Sequence, residues 1–296
     1  MDQGSRKQVL HFGRQPHPSI PTTLQKLPCG QCIGCKLKYS REAAVRCVHE
    51  STRSEHNCFI TLTIDDENMM KYWPDGSLDS NALKNFWKRL RKRYAPNKIR
   101  YFACGEYGEN LQRPHYHACI FNLDFPDRSF LKQKNGINLY RSPALEKLWP
   151  FGFSSIGELT FDSAAYTARY CTKKITGLHQ YNHYVNSDGV MLLPEFARWS
   201  LKPGLGEAWY QQYKDDCYPD DFIYVNDNKV NIPRYYDKLM EMEDPVRLEI
   251  VKQNRKKNSL RHAADNTQER LATREKVKIA QTQTLTRKFE DAHHDY

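Results

Sequence analysis

At 296 residues the chain is long enough for one or two domains with a sizeable core. Lys and Arg total 45 against 35 Asp and Glu, a formal charge of +10, and the aromatics comprise 18 Tyr, 13 Phe and 5 Trp. No run of about eighteen apolar residues exists, which excludes a membrane-spanning helix, and this aromatic content excludes a fully solvated coil. A basic, tyrosine-rich chain is suited to phosphates and stacked bases.

Residues 1–28 hold six prolines or glycines and little periodicity, and read as an irregular arm. The N-terminal Met-Asp-Gln-Gly-Ser-Arg-Lys has no apolar core, so no secretion signal is expected. Next comes Cys29-Gly-Gln-Cys32-Ile-Gly-Cys35, three thiols at intervals of three in a chain whose other cysteines are scattered. Glycines in such a knuckle let backbone amides turn toward thiolate sulfur, which suits a structural zinc. The competing reading is reduced thiols packed in tight turns. A fourth ligand would come from Cys47, His49 or Cys58, and with no fourth cysteine close by an iron–sulfur cluster is disfavoured.

Ala44, Val45 and Val48 predict a helix over 40–51, and Cys58-Phe-Ile-Thr-Leu-Thr-Ile64 a strand. Asp79 or Ser80 caps a helix with Leu83, Phe86, Trp87, Leu90 and Tyr94 along one face. Lys84, Lys88, Arg89, Arg91, Lys92 and Arg93 lie on its other face with no acid before Arg100, a phosphate-facing surface or a solvated helix face. Strands are expected at 99–106 and 115–121 around a loop, then a variable stretch near 124–141, a helix at 143–148, a strand at 153–159 and a helix at 162–175. This order lacks βαβ alternation and fits an α+β layer with an antiparallel sheet, related to the ferredoxin-like arrangement. Beyond Gly177 the sequence predicts a helix at 207–213, a hairpin formed by 222–225 and 229–232, and a polar, basic segment over 244–289 that forms a solvated helix or a partly disordered tail. No Gly-x4-Gly-Lys-Ser/Thr occurs, which excludes a fused P-loop helicase.

His115 and His117 alternate in a strand, so both imidazoles project from one face and can share a divalent ion. Glu106 closes the partner strand and offers a hard third ligand, with Glu109 on the loop as the fallback. Two imidazoles and a carboxylate suit Mg2+ or Mn2+ against a phosphate oxygen, or another metal in a hydrolase. Tyr166 and Tyr170 stand one helical turn apart with Lys173 and Lys174 beyond them. Ala164, Ala168, Cys171 and Ile175 form the opposite, small-residue face, so the phenols are expected in a charged cleft rather than in the core. A phenol with its pKa near 10 needs a cation or metal beside it to attack as phenolate, and Lys174, a turn from Tyr170, is placed for that.

Phe59-Ile-Thr-Leu-Thr63, Gly105-Glu-Tyr-Gly with Arg113-Pro-His-Tyr-His117, and Tyr166-x3-Tyr170 with Lys173-Lys174 together resemble the three motifs of the rolling-circle replication initiators called HUH endonucleases, in their two-tyrosine class. Within that class the chain is similar to the initiators of small single-stranded DNA bacteriophages of the microvirus (gokushovirus) type. The Cys29–Cys35 segment with Ser40-Arg-Glu42, Lys202-Pro-Gly-Leu-Gly206 and Pro233-Arg-Tyr-Tyr-Asp-Lys238 resemble further segments of that group. The likeness runs from about Leu27 to Met242; Ile64 and Cys171 depart from the usual motif residues.

The resemblance implies an antiparallel sheet of about five strands with flanking helices over 29–242, between the arm and a basic C-terminal extension at 243–296. It implies His115, His117 and Glu106 as ligands of Mg2+ or Mn2+, Tyr166 and Tyr170 as alternating nucleophiles, and Lys174 as their companion. One strand of single- or double-stranded origin DNA would be nicked, leaving a 5′-phosphotyrosine and a 3′-hydroxyl primer for host polymerase, with a host helicase as a further partner and the cytoplasm of the infected bacterium as the setting. Lys88, Arg89, Lys92, Arg93, Arg113 and Lys173 are the expected DNA contacts. Two alternatives are a metal-dependent hydrolase with structural tyrosines and a non-catalytic, zinc-containing single-strand binder.

Overall fold

A computed structural model describes residues 28–108, 111–175, 180–218 and 220–283, without the side chains of 170–173. Helix α1 (Ile33–Ser51) starts directly after Cys32, earlier than its apolar spacing indicates. Strand β1 (Asn57–Leu62) is followed by α2 (Asp66–Tyr72), capped by Asp65, and α3 (Ser80–Arg93), where Asp79 accepts from the Asn81 amide at 2.7 Å. Strands β2 (Arg100–Tyr107) and β3 (Pro114–Phe121) flank the expected loop. The variable stretch forms a further hairpin, β4 (Ser129–Lys134) and β5 (Ile137–Arg141), which turns at Asn135 and Gly136, both at positive φ. Helix α4 (Pro143–Leu148) begins at a Ser142 cap, β6 (Ser154–Gly157) follows, and α5 (Phe161–Lys173) opens with a capping box between Thr160 and Ser163. A short α6 (Gln180–His183) leads to β7 (Phe196–Trp199).

All ladders are antiparallel, in the order β4-β5-β6-β1-β3-β2-β7. The sheet therefore has seven strands rather than about five. The β4–β5 hairpin lengthens one side; the four-residue β7, too short to show a period, forms the other edge. Alternation assigns each face its core. Cys58, Ile60 and Leu62 of β1 with Tyr116, Ala118 and Ile120 of β3 pack under α3 and α4, against Leu83, Phe86, Trp87 and Trp149. Phe59, Phe102, Cys119 and Phe121 point the other way, toward α1 and α5. On that side Ala43, Ala44, Ala164 and Ala168 keep the two helices close, and Ser40 Oγ donates to the Ala165 carbonyl at 3.1 Å.

A third core joins α1 to the C-terminal elements, namely α7 (Glu207–Cys217), the hairpin β8 (Phe222–Val225) and β9 (Asn228–Asn231), α8 (Arg234–Glu243) and α9 (Pro245–Arg261). Val45 of α1 packs there with Tyr210, Tyr236, Leu239, Leu248 and Val251. Arg255 binds both Asp221, at 2.5 and 2.7 Å, and Asp237, at 2.7 Å, holding α9 to its neighbours. The first part of the polar C-terminal segment thus packs, whereas α10 (Gln268–Gln283) buries no residue. Among the described residues no helix is long and apolar enough to cross a membrane.

The Lys202–Gly206 segment is clasped from both sides. Glu50 accepts from the Gly206 amide at 2.7 Å and pairs with Arg100, while Arg46 donates to the Leu205 carbonyl at 3.0 Å. Beside it His49 stacks on Trp209 at 3.5 Å, with Nδ1 2.8 Å from the Tyr236 hydroxyl. Burial pushes the His49 imidazole down to about 3 from 6.5. Below about pH 6.5 the unfolded chain gains a proton that the folded chain refuses, so this group's contribution to stability is full above that pH and is lost as pH falls toward 3. Between pH 7 and pH 5 the loss is about 2 kcal/mol. Urea titrations should show that drop in the parent and a correspondingly smaller one in His49→Gln; equal drops would dissociate acid sensitivity from this residue.

Candidate active site

Strands β1, β2 and β3 lie side by side, and the register decides which side chains meet. Thr61 stands across from His117, and Glu106 across from His115. All four belong to the face that α1 and α5 cover. His117 is buried, as is Glu106. Its Nε2 lies 2.9 Å from Glu106 Oε1 and its Nδ1 3.0 Å from Thr61 Oγ1. The Phe59 ring is parallel to the imidazole at 5.9 Å, and the Tyr166 ring meets it edge-on at 5.2 Å.

Tyr166 is therefore on the same side of the sheet as the two histidines, but fully buried. The expectation of an exposed phenol in a charged cleft is corrected: α5 is buried along Ala164 and Ala168 and along Tyr166 and Thr167, because it packs on α1 as well as on the sheet. Tyr170 follows one turn later on the same helix; its side chain and that of Lys173 lie outside the described residues, as does Glu109. The helix ends at Lys173, so Lys174 is not on its face. Lys174 is exposed and lines a groove of about 520 Å³ with Cys35, Lys36, Lys38, Tyr39 and Arg198.

Two glycines let neighbours come close. A Cβ on Gly105 would sit 2.9 Å from the Phe196 ring of the edge strand, and one on Gly108 would sit 2.9 Å from His115 Cε1. The Gly108 amide donates to the Arg113 carbonyl at 2.9 Å, closing the β2–β3 loop beside that imidazole. Arg113, expected on DNA, pairs with Asp66 at 2.6 Å and donates to the Ile64 carbonyl at 2.8 Å, fastening the start of β3 to α2. Arg89 is likewise engaged, its guanidinium donating to the Leu148 carbonyl at 2.8 and 3.1 Å. With Lys88, Lys92 and Arg93 it belongs to α3, on the sheet face opposite the histidines.

The donor set suits a hard or borderline divalent ion. Two imidazoles and a carboxylate share one face of two adjacent strands, and His117 has the backing partner that metal-bound histidines use. When Nε2–H donates to Glu106, Nδ1 accepts from Thr61; with Nε2 on an ion, Nδ1–H would donate back to the same hydroxyl, which serves both tautomers. Thr61 was missed as a site residue, although its place two residues after Phe59 in an alternating strand assigns it to this face.

The Cys29, Cys32 and Cys35 thiols lie within 4.8 Å of one another, and this cluster could hold a metal ion. Cys29 and Cys35 are 3.9 Å apart, close to the roughly 3.8 Å between sulfurs on a tetrahedral zinc with bonds of about 2.3 Å. The Cys32 and Gln31 amides pull the Cys29 thiol down to about 7. None of the expected fourth ligands reaches it. Cys47 and His49 lie twelve and fourteen residues along α1 from Cys35, about 18 and 21 Å at the helical rise, and Cys58 is on the far face of the sheet.

Residues 57–175 match the family model of the replication-associated protein ORF2. The replication-associated protein ORF2 of Spiroplasma virus 4 is 35% identical over 244 residues, covering 78% of this chain and 73% of its relative. Replication-associated protein VP4 of Bdellovibrio phage phiMH2K is 30% identical over 79% of this chain and 77% of its own length, and replication-associated protein ORF4 of Chlamydia phage 1 is 29% identical over 72% and 53%. No solved structure matches the chain.

Replacing Thr61 by Val should weaken Mn2+ binding by about 10- to 100-fold in calorimetric titration, with the thermal midpoint little changed. An unaltered affinity would mean that Thr61 does not orient His117 for an ion.

Proposed function

As the chain belongs to the family of the replication-associated protein ORF2, we propose that it initiates phage DNA replication by nicking one strand at an origin through a tyrosine nucleophile. The supporting observation is the contact of Tyr166 with His117, on the sheet face that also carries Glu106 and His115.

A divalent ion held by Glu106, His115 and His117 supplies Lewis-acid polarisation of the scissile phosphate. The chain's own residues supply the rest. Thr61 fixes the His117 ring, and Phe59 and Tyr166 wall it from water. Tyr166 or Tyr170 attacks phosphorus through its phenolic oxygen; a phosphotyrosine bond forms, the bond to the 3′-oxygen breaks, and the phenolic proton leaves so that the strand ends in a 3′-hydroxyl. Lys174, on the groove nearby, attracts the phosphodiester. The reverse attack by a 3′-hydroxyl releases the tyrosine and reseals the strand, and a second tyrosine one turn away lets both steps alternate without releasing the first end. At Cys29, Cys32 and Cys35, zinc is the ion that sulfur chemistry and spacing favour.

Incubation with Mn2+ and single-stranded origin DNA labelled at its 3′ end should yield a covalent protein–DNA band under denaturing conditions. His117→Ala and the double change Tyr166→Phe with Tyr170→Phe should each abolish it. Cleavage without an adduct would favour a hydrolase, and binding without cleavage a non-catalytic DNA binder. The purified protein should also carry one zinc per chain, lost on changing Cys29, Cys32 and Cys35 to Ser; equal metal content in both proteins would refute the thiol site.

A further inference from the structure

At the opposite end of β2 and β7 from Glu106 lies a second cleft, of about 790 Å³, between the end of α1, the segment joining α3 to β2, and the segment after β7. Its lining includes Arg53, Arg91, Lys98 and Lys202, all exposed, with Tyr101 and Trp199 between them. Its acid, Glu50, is already neutralised by Arg100 and leaves the cleft's positive balance intact. None of the four exposed cations has an acidic partner among the described residues; Arg53 donates to Gln212 at 2.6 Å, and Arg91 lies over the Tyr101 ring at 5.3 Å. The aromatic walls are rigid: Tyr101 is stacked on Trp87 at 4.0 Å, and Trp199 carries the Arg46 guanidinium at 4.5 Å. Four like charges gathered without counter-charge repel one another, a cost that a polyanion removes.

The geometry points to a second DNA-binding site here, one that takes the phosphate backbone of the substrate at a distance from the cleaved bond, with Tyr101 and Trp199 as stacking surfaces for its bases. Arg100 to Glu106 spans six residues of β2, about 20 Å at the strand rise, so one strand can engage both sites only if it extends some six steps beyond the nick. The inference rests on the reading that DNA is the substrate, and it makes substrate length, rather than the sequence at the nick, the quantity the cleft senses. An acidic protein segment is the rival occupant.

The test uses the full chain with Lys98→Glu and Lys202→Glu together, in chelator so that no cleavage occurs. Fluorescence anisotropy is measured with a single strand of about 6 nucleotides, one of about 25 and a duplex of about 25 base pairs. For the long probes affinity should fall about tenfold, and the slope of log affinity against log salt should flatten by about 1.4 for the single strand or about 1.8 for the duplex. The short probe should bind as before, and with Mn2+ it should form the covalent adduct as in the parent. Lys256→Glu with Lys257→Glu, on the exposed side of α9, is the control for net charge. Unchanged long-probe binding, or equal loss in the control pair, overturns the proposal and leaves the acidic segment as the occupant to examine. Failure of adduct formation in the parent, with the length-dependent loss intact, would refute the nickase reading and leave this site standing.

Discussion

The imidazole of His117 is the point at which three strands and a helix meet. Thr61 from β1 and Glu106 from β2 bind its two nitrogens, and Phe59 and Tyr166 cover it on two sides. A polar ring buried in this way is tolerated because both nitrogens are hydrogen-bonded. Strand register makes those partners available: slipping β3 by one residue would turn His115 and His117 toward Trp149 and bring Tyr116 under α5. The apolar alternation that builds the two cores also gathers the donor set, so fold and chemistry are specified by one pattern.

Most of this pattern was legible in the sequence. The helix at 143–148, the hairpin at 222–231, the cap at Asp79 and the paired imidazoles follow from local rules of spacing and capping that neighbours do not override. The β4–β5 hairpin and β7 were not legible, because their pairing partners are distant in sequence and their alternation is weak or too short to read. Burial of Tyr166 was misjudged for a related reason. A helix wedged between another helix and a sheet has no free face, and its own sequence carries no sign of the second neighbour. Arg89 and Arg113 look like exposed cations in the sequence, but each caps a carbonyl brought near by tertiary structure.

The structure separates the buried donor set from the charged surfaces. Atoms suited to bond-making lie at one end of β2, while unopposed positive charge collects at the other end and along the groove near Lys174. A rigid sheet between them fixes their spacing more reliably than a loop could. The basic face of α3, the most conspicuous charge run in the sequence, belongs instead to the far side, where its aliphatic stems flank the larger core.

Helix α1 lies outside the segment matched by the family, yet it contributes to two cores and begins at the thiol cluster. Residues 57–175 excised alone would bare Phe59, Phe102 and Cys119 to water and forfeit the small-residue seam that seats α5. The shared motif region is thus not a free-standing minimal unit: in this chain α1 acts as a spine from which the large sheet and the C-terminal lobe both hang, and any trimmed version must keep it.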